Sequence, residues 1–170
     1  IGFYAEGAAV VKQLTLLQSG HLIINLPGGK NMILSARNKL PGVITGIDKG
    51  AVNSIVRLDV GGTPVSATIS IAAVNDLDLA VGKEAFAVIK ATDVMIGKGP
   101  MRLSARNRLE GIVTAVDEGA VNAIVHMDVC GGNKISATIS MAAVRELELT
   151  VGCSAVAVIK ATSVMIGIEG

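Results

Sequence analysis

From residue 33 onward, apolar positions recur in short runs with a period near two, broken by glycine pairs and charged turns. Residues 33–48 alternate loosely. They have the length of one curved strand, or of two joined at Pro41-Gly42. Lys49-Gly50 marks a turn, residues 52–60 a second strand, Gly61-Gly62 a tight hairpin and residues 65–70 a third strand. Over residues 71–79 the period changes. Ile71, Val74 and Leu77 have helical spacing, and Ser70 stands where a helix N-cap belongs. Val81-Gly82 ends that helix, and residues 84–90 and 93–96 read as the last strands. Three strands, a short helix and two more strands in about 65 residues suit a small closed barrel of the OB type. Closure removes the open edges that such Val- and Ile-rich strands would otherwise present.

The same pattern then runs a second time. "SARNKLPGVITGIDKGAVNSIVRLDV" lies over "SARNRLEGIVTAVDEGAVNAIVHMDV" without a gap, and Cys130 is the single insertion before the second glycine pair. Of 67 aligned pairs 43 are identical, so the two stretches share a fold. The exchanges are mild at apolar positions, such as Val43/Ile112 and Ile44/Val113, and free at polar ones, such as Lys49/Glu118 and Asn75/Arg145. The expectation is an all-β chain with one short helix per unit: two tandem OB-type five-stranded barrels over 32–98 and 101–168. Only Lys98-Gly99-Pro100 joins them, so the barrels should pack together. Residues 1–31 lie outside the repeat, as an extension of unassigned role. There Val10, Val11, Leu14 and Leu17 have helical spacing and "HLIINLPGG" reads as a strand, which predicts a helix followed by a strand.

Composition narrows the chemistry. Fifteen Lys and Arg against 14 Asp and Glu leave a net charge of +1, so no global field draws nucleic acid or an anionic membrane. Only Phe3, Tyr4 and Phe86 are aromatic, and Phe86 becomes Val156 in the second copy. Stacking platforms for single-stranded nucleic acid are therefore lacking. No apolar run reaches the length of a membrane span. Cys130 and Cys153 both fall in the second copy without counterparts in the first, the mark of plain thiols rather than a disulfide or a cation site, and a weak pointer to the cytoplasm. The glycine pairs lack the context of a phosphate loop.

Both copies keep a set of polar residues: Ser35, Arg37, Asn38, Asn53, Ser66, Thr68, Ser70, Lys90 and Thr92 in the first, and Ser104, Arg106, Asn107, Asn122, Ser136, Thr138, Ser140, Lys160 and Thr162 in the second. Neither set contains His, and neither copy keeps a carboxylate beside a nucleophile, so catalysis is not expected. Asp48 and Asp117 read as solvated turn carboxylates, and Lys83 as a surface charge. Two cations, several hydroxyls and a helix start favour a small tetrahedral dianion.

The segments "SARN", "GAVN", the glycine hairpin, "SATIS" and "IKAT.VM", present twice and in order over residues 32–168, resemble the Mop-domain (molbindin) family. The resemblance implies a non-enzymatic, cytoplasmic binder of molybdate or tungstate for intracellular storage or homeostasis. It implies sites between units and a homo-oligomer, a trimer for a tandem chain. One side of each site would come from Ser35, Arg37, Lys90 and Thr92, or from Ser104, Arg106, Lys160 and Thr162. The other would come from a partner unit's Ser70 or Ser140. Three residues on, where the family often has a hydroxyl, this chain has Ala73 and Ala143. The molybdate-sensing effector region of a transcription regulator, with its DNA-binding domain elsewhere, is the alternative.

Overall fold

The computed structural model describes residues 13–16, 22–25 and 34–169. The described residues fall into two compact units, one up to Ser35 and one of residues 36–169. In the first, β1 (Gln13–Leu16) pairs antiparallel with β2 (Leu22–Asn25). The strand expected in "HLIINLPGG" is there, but the helical reading fails at Gln13–Leu16. "QLTL" also alternates with period two, and a run this short satisfies either period. Val10, Val11 and Leu17 lie outside the described residues.

The second unit holds the first repeat from residue 36 on and all of the second. The first contributes β3 (Asn38–Lys49), β4 (Asn53–Val60), β5 (Thr63–Ser70), α1 (Ile71–Asp76), β6 (Glu84–Ile89) and β7 (Met95–Gly97). The second contributes β8 (Asn107–Glu118), β9 (Asn122–Asp128), β10 (Lys134–Ser140), α2 (Met141–Glu146), β11 (Ser154–Ile159) and β12 (Met165–Gly167). These form two five-stranded antiparallel sheets, in the orders β12-β6-β3-β4-β5 and β10-β9-β8-β11-β7. β12 lies near β5 and β7 near β10, which curls each sheet toward closure.

The last strand of each repeat joins the other repeat's sheet. Met95, Ile96 and Gly97 face Val158, Ala157 and Val156, while Met165, Ile166 and Gly167 face Val88, Ala87 and Phe86. Each barrel therefore takes four strands from one repeat and one from the other. The cores merge accordingly into one apolar cluster from Leu40 to Val164. Its Val, Leu and Ile side chains each contribute about 1.5–3 kcal/mol by leaving water.

β3 is one continuous, bent strand. Residues 38–43 pair with β6 and residues 43–49 with β4, with a bulge between Ile44 and Gly46 at the handover. Pro41 is tolerated because its stretch of β3 pairs only with β6, so no second ladder needs its missing N–H. The hairpin after β4 turns on Gly61 and Gly62, both at positive φ (57° and 90°), as a two-residue type I′ turn requires. The matching turn of the second repeat sits against it: a Cβ on Gly61 would come within 2.8 Å of the Gly131 Cα. Ser70 and Ser140 cap α1 and α2 as expected, their Oγ atoms each accepting from Ala73 and Ala143 N–H at 3.1 Å. No described helix is long and apolar enough to cross a membrane.

Candidate functional site

The strand register brings two of the candidates together in each repeat. Asn38 faces Ile89 in the last pair of β3 and β6, so Arg37 and Lys90 are the next residues outward on neighbouring strands, at one rim. Adjacent antiparallel strands put their backbones about 5 Å apart. Asn107 and Ile159 do the same for Arg106 and Lys160. Beyond each Lys the chain makes a single 3-10 turn, Ala91–Asp93 or Ala161–Ser163, closed by an N–H···O bond back to the Lys carbonyl (2.9 and 3.0 Å). That turn holds Thr92 or Thr162 on the same rim, and it packs against β10 or β5 of the other repeat.

Between rim and core lies a residue whose role the sequence reading missed. Asn38 is 1% and Asn107 0% exposed. Asn38 donates through Nδ2 to the Ser136 carbonyl (2.9 Å) and accepts from the Ser136 N–H (2.7 Å). Asn107 does the same with Ser66, at 2.8 and 2.7 Å. Each amide thus imitates one more strand residue and clamps its own repeat to the other. The inward alternation of Leu40 continues back to Asn38, which was the available signal. Because Asn38 directly follows Arg37, the clamp also fixes where the guanidinium leaves the backbone.

Ser35, Arg37, Lys90, Thr92, Ser104, Arg106, Lys160 and Thr162 are all exposed. Among the described residues, no carboxylate lies within ion-pair reach of Arg37, Lys90, Arg106 or Lys160. In the second repeat Arg108 braces the approach to Ser104, donating to the Met101 and Leu103 carbonyls at 2.9 and 3.1 Å. Ser70 and Ser140 are not bonded to these sets. Ser140 stands four residues along β10 from the clamped Ser136, about 13 Å on an extended strand. Its hydroxyl accepts from the helix and keeps its O–H for an outside acceptor. Ala73 and Ala143 offer no hydroxyl of their own.

Two open clefts, of about 650 and 570 Å³, lie at the bends around Gly42 and Gly111, and neither is lined by a candidate residue. The cation sets are instead open rims that a facing surface would have to close. Lys83 is not a free surface charge: its Nζ donates to the Leu77 and Asp78 carbonyls (3.1 and 3.0 Å) at the end of α1. Nor are Asp48 and Asp117 merely solvated, since they pair with Arg57 and His126. Cys130 and Cys153 are free thiols.

Tandem, strand-exchanged OB-type barrels define the class of module, and the duplicated cation rims, unpaired among the described residues, are its candidate small-anion sites. The TOBE domain model matches this chain twice, at residues 34–96 and 103–166, and the chain belongs to that family. A 69-residue "probable molybdenum-pterin-binding protein" of Haemophilus influenzae is 59% identical over its whole length, 41% of this chain. The "molybdenum transport protein ModE" of Herbaspirillum seropedicae is 36% identical over 161 residues, 93% of this chain; the match takes in 60% of that relative's length. Among solved structures, the molybdate-bound "cytoplasmic molybdate-binding protein ModG" superposes with a TM-score of 0.79 at 41% identity, covering 81% of this chain and all of that one.

Proposed function

We propose that this chain binds molybdate at its two rims, as a binding protein for molybdenum storage or homeostasis in the cytoplasm rather than as an enzyme. The observation that carries the reading is the pair of adjacent Arg and Lys residues, Arg37 with Lys90 and Arg106 with Lys160, repeated without carboxylate partners among the described residues. It gains weight from 41% identity to the whole of a molybdate-binding chain. Arg supplies a fixed fork and Lys a point charge. Ser35, Thr92, Ser104 and Thr162 add neutral donors. Ser70 and Ser140 of facing units, with their free O–H, complete the shell. Because one rim is open, we place the sites between units of an oligomer, a trimer of this chain giving six barrels. The repeats at 32–98 and 101–168 act as the two Mop domains. Tungstate, nearly equal in size and charge, should compete.

A sensing region of a regulator is the less favoured reading. The likeness takes in all of the molybdate-binding chain but 60% of the ModE relative. Native mass spectrometry after incubation with molybdate tests the proposal by counting chains and bound oxyanions together. A trimer with bound molybdate that sulfate, a smaller tetrahedron, displaces weakly is expected. A chain that takes up no molybdate, or holds sulfate equally well, refutes it.

A further inference from the structure

The two rims are nearly identical, and one difference falls inside the turn that carries the candidates. Lys90-Ala91-Thr92 is followed by Asp93, whereas Lys160-Ala161-Thr162 is followed by Ser163. Both residues close the same 3-10 turn through their backbone N–H, so the turns have the same shape and differ in charge. Asp93 is exposed, and no cation pairs with its carboxylate among the described residues. Its field is therefore not cancelled locally, and it sits within one turn of the Lys90 backbone and next to Thr92.

We infer that Asp93 sets the two oxyanion sites of one chain apart: the site on the Arg37–Lys90 rim is the weaker and the site on the Arg106–Lys160 rim the tighter. The inference rests on the proposed oxyanion-binding function. A carboxylate beside a dianion opposes it through a pair interaction of one charge with two. Across partly hydrated space at a separation of about 6–8 Å this amounts to roughly threefold to tenfold in affinity. Ser163 carries no charge and can itself donate a hydrogen bond. Other charged groups near the rims act in the same direction or not at all. Arg108 in the second repeat stands where the first has Lys39, both cationic, and Arg102, two residues before Ser104 where the first repeat has Ile33, adds to the same difference. A chain with unequal sites fills over a wider range of oxyanion concentration than one with equal sites, which suits a reservoir.

The test is calorimetric titration of the full chain with sodium molybdate, alongside Asp93→Asn and Ser163→Asp. Two classes of site are expected in the unaltered chain. Asp93→Asn should tighten the weaker class about threefold to tenfold, toward the tighter one. Ser163→Asp should weaken the tighter class by a similar factor. Because the effect is Coulombic through exposed groups, the gap between the unaltered chain and Asp93→Asn should shrink as salt rises, which a change of turn shape would not produce. Normal binding in two classes that Asp93→Asn leaves unchanged overturns the role of Asp93 while leaving the binding function intact. A gap indifferent to salt overturns the electrostatic account. Absence of molybdate binding by the unaltered chain overturns both.

Discussion

Where the first repeat carries Gly46, Arg57 and Asp48, the second carries Ala115, His126 and Asp117. Gly46 faces Arg57 across the bulge, and Ala115 faces His126 in the same register. The guanidinium of Arg57 lies over Gly46, in the space a Cβ would occupy, and makes a two-pronged pair with Asp48. In the second repeat the methyl of Ala115 takes that space. The shorter His126 spans it differently, with Nε2 at 2.8 Å from Asp117 and Nδ1 at 2.9 Å from the Ser136 hydroxyl. One methyl group thus accounts for a change of cation and of partners on strands in the same register. The Asn clamps, in contrast, are the same in both repeats. Polar residues on the outer face of a barrel can drift as coupled sets, while a buried amide with donor and acceptor both used cannot.

The largest effect should come from breaking what the repeats share. Asn38→Ala or Asn107→Ala removes two hydrogen bonds and leaves a half-buried N–H and C=O on the other repeat without these partners, at about 1–3 kcal/mol for each variant. Denaturant unfolding should show the loss, with the double variant the least stable. Stability within about 0.5 kcal/mol of the unaltered chain would mean that strand exchange alone holds the repeats together.

The coupled set comes next. Gly46→Ala should lower the melting temperature because the new methyl displaces Arg57, and adding Arg57→His should restore most of the loss by recreating the second repeat's arrangement. Independent, additive effects of the two changes would contradict the coupling.

Smaller again is the helix end. Lys83→Met removes the cation that bonds the last carbonyls of α1, for which the second repeat has Cys153, and should cost about 0.3–1 kcal/mol in thermal unfolding.

The smallest effect concerns acid. The hydrogen bond from Arg57 holds the Asp48 carboxyl below its ordinary 3.8; burial opposes this and the Arg57 charge adds to it. A group whose folded value is depressed contributes stability above its unfolded value and loses it as pH falls through the folded one. Asp48 should therefore titrate below the ordinary carboxylate range when followed by carboxyl NMR, and Arg57→His should move its midpoint upward.

Much of this architecture is legible in the residues, and the failures have physical causes. Alternation marks β4 and β5, the glycine pair marks their hairpin, and Ser70 before Ile71, Val74 and Leu77 marks a capped helix, because each signal is local. Strand exchange is not legible. "EAFAVI" and "SAVAVI" present almost the same edge, so "MIG" fits either one equally and the residues alone do not say which it joins. The helix expected near Leu14 failed because four residues cannot distinguish two periods. The pairing of Arg37 with Lys90 depends on register across residues 53 apart in sequence. The repeat could flag both as retained, but only the sheet brings them to neighbouring strand ends. Asn38 was visible as a retained polar residue and not as a clamp, since its partner is a backbone on the other repeat.

The account's central claim is that the Arg–Lys rims hold the oxyanion, and the most direct measurement is molybdate calorimetry on Lys90→Met with Lys160→Met, read against Lys83→Met. Methionine keeps most of each stem and removes the charge. The double variant should stay folded and lose about tenfold to a hundredfold in affinity, the worth of a charge-assisted bond to an anion. Lys83→Met should bind as the unaltered chain does. Unchanged affinity in the double variant, or an equal loss in Lys83→Met, would contradict the site.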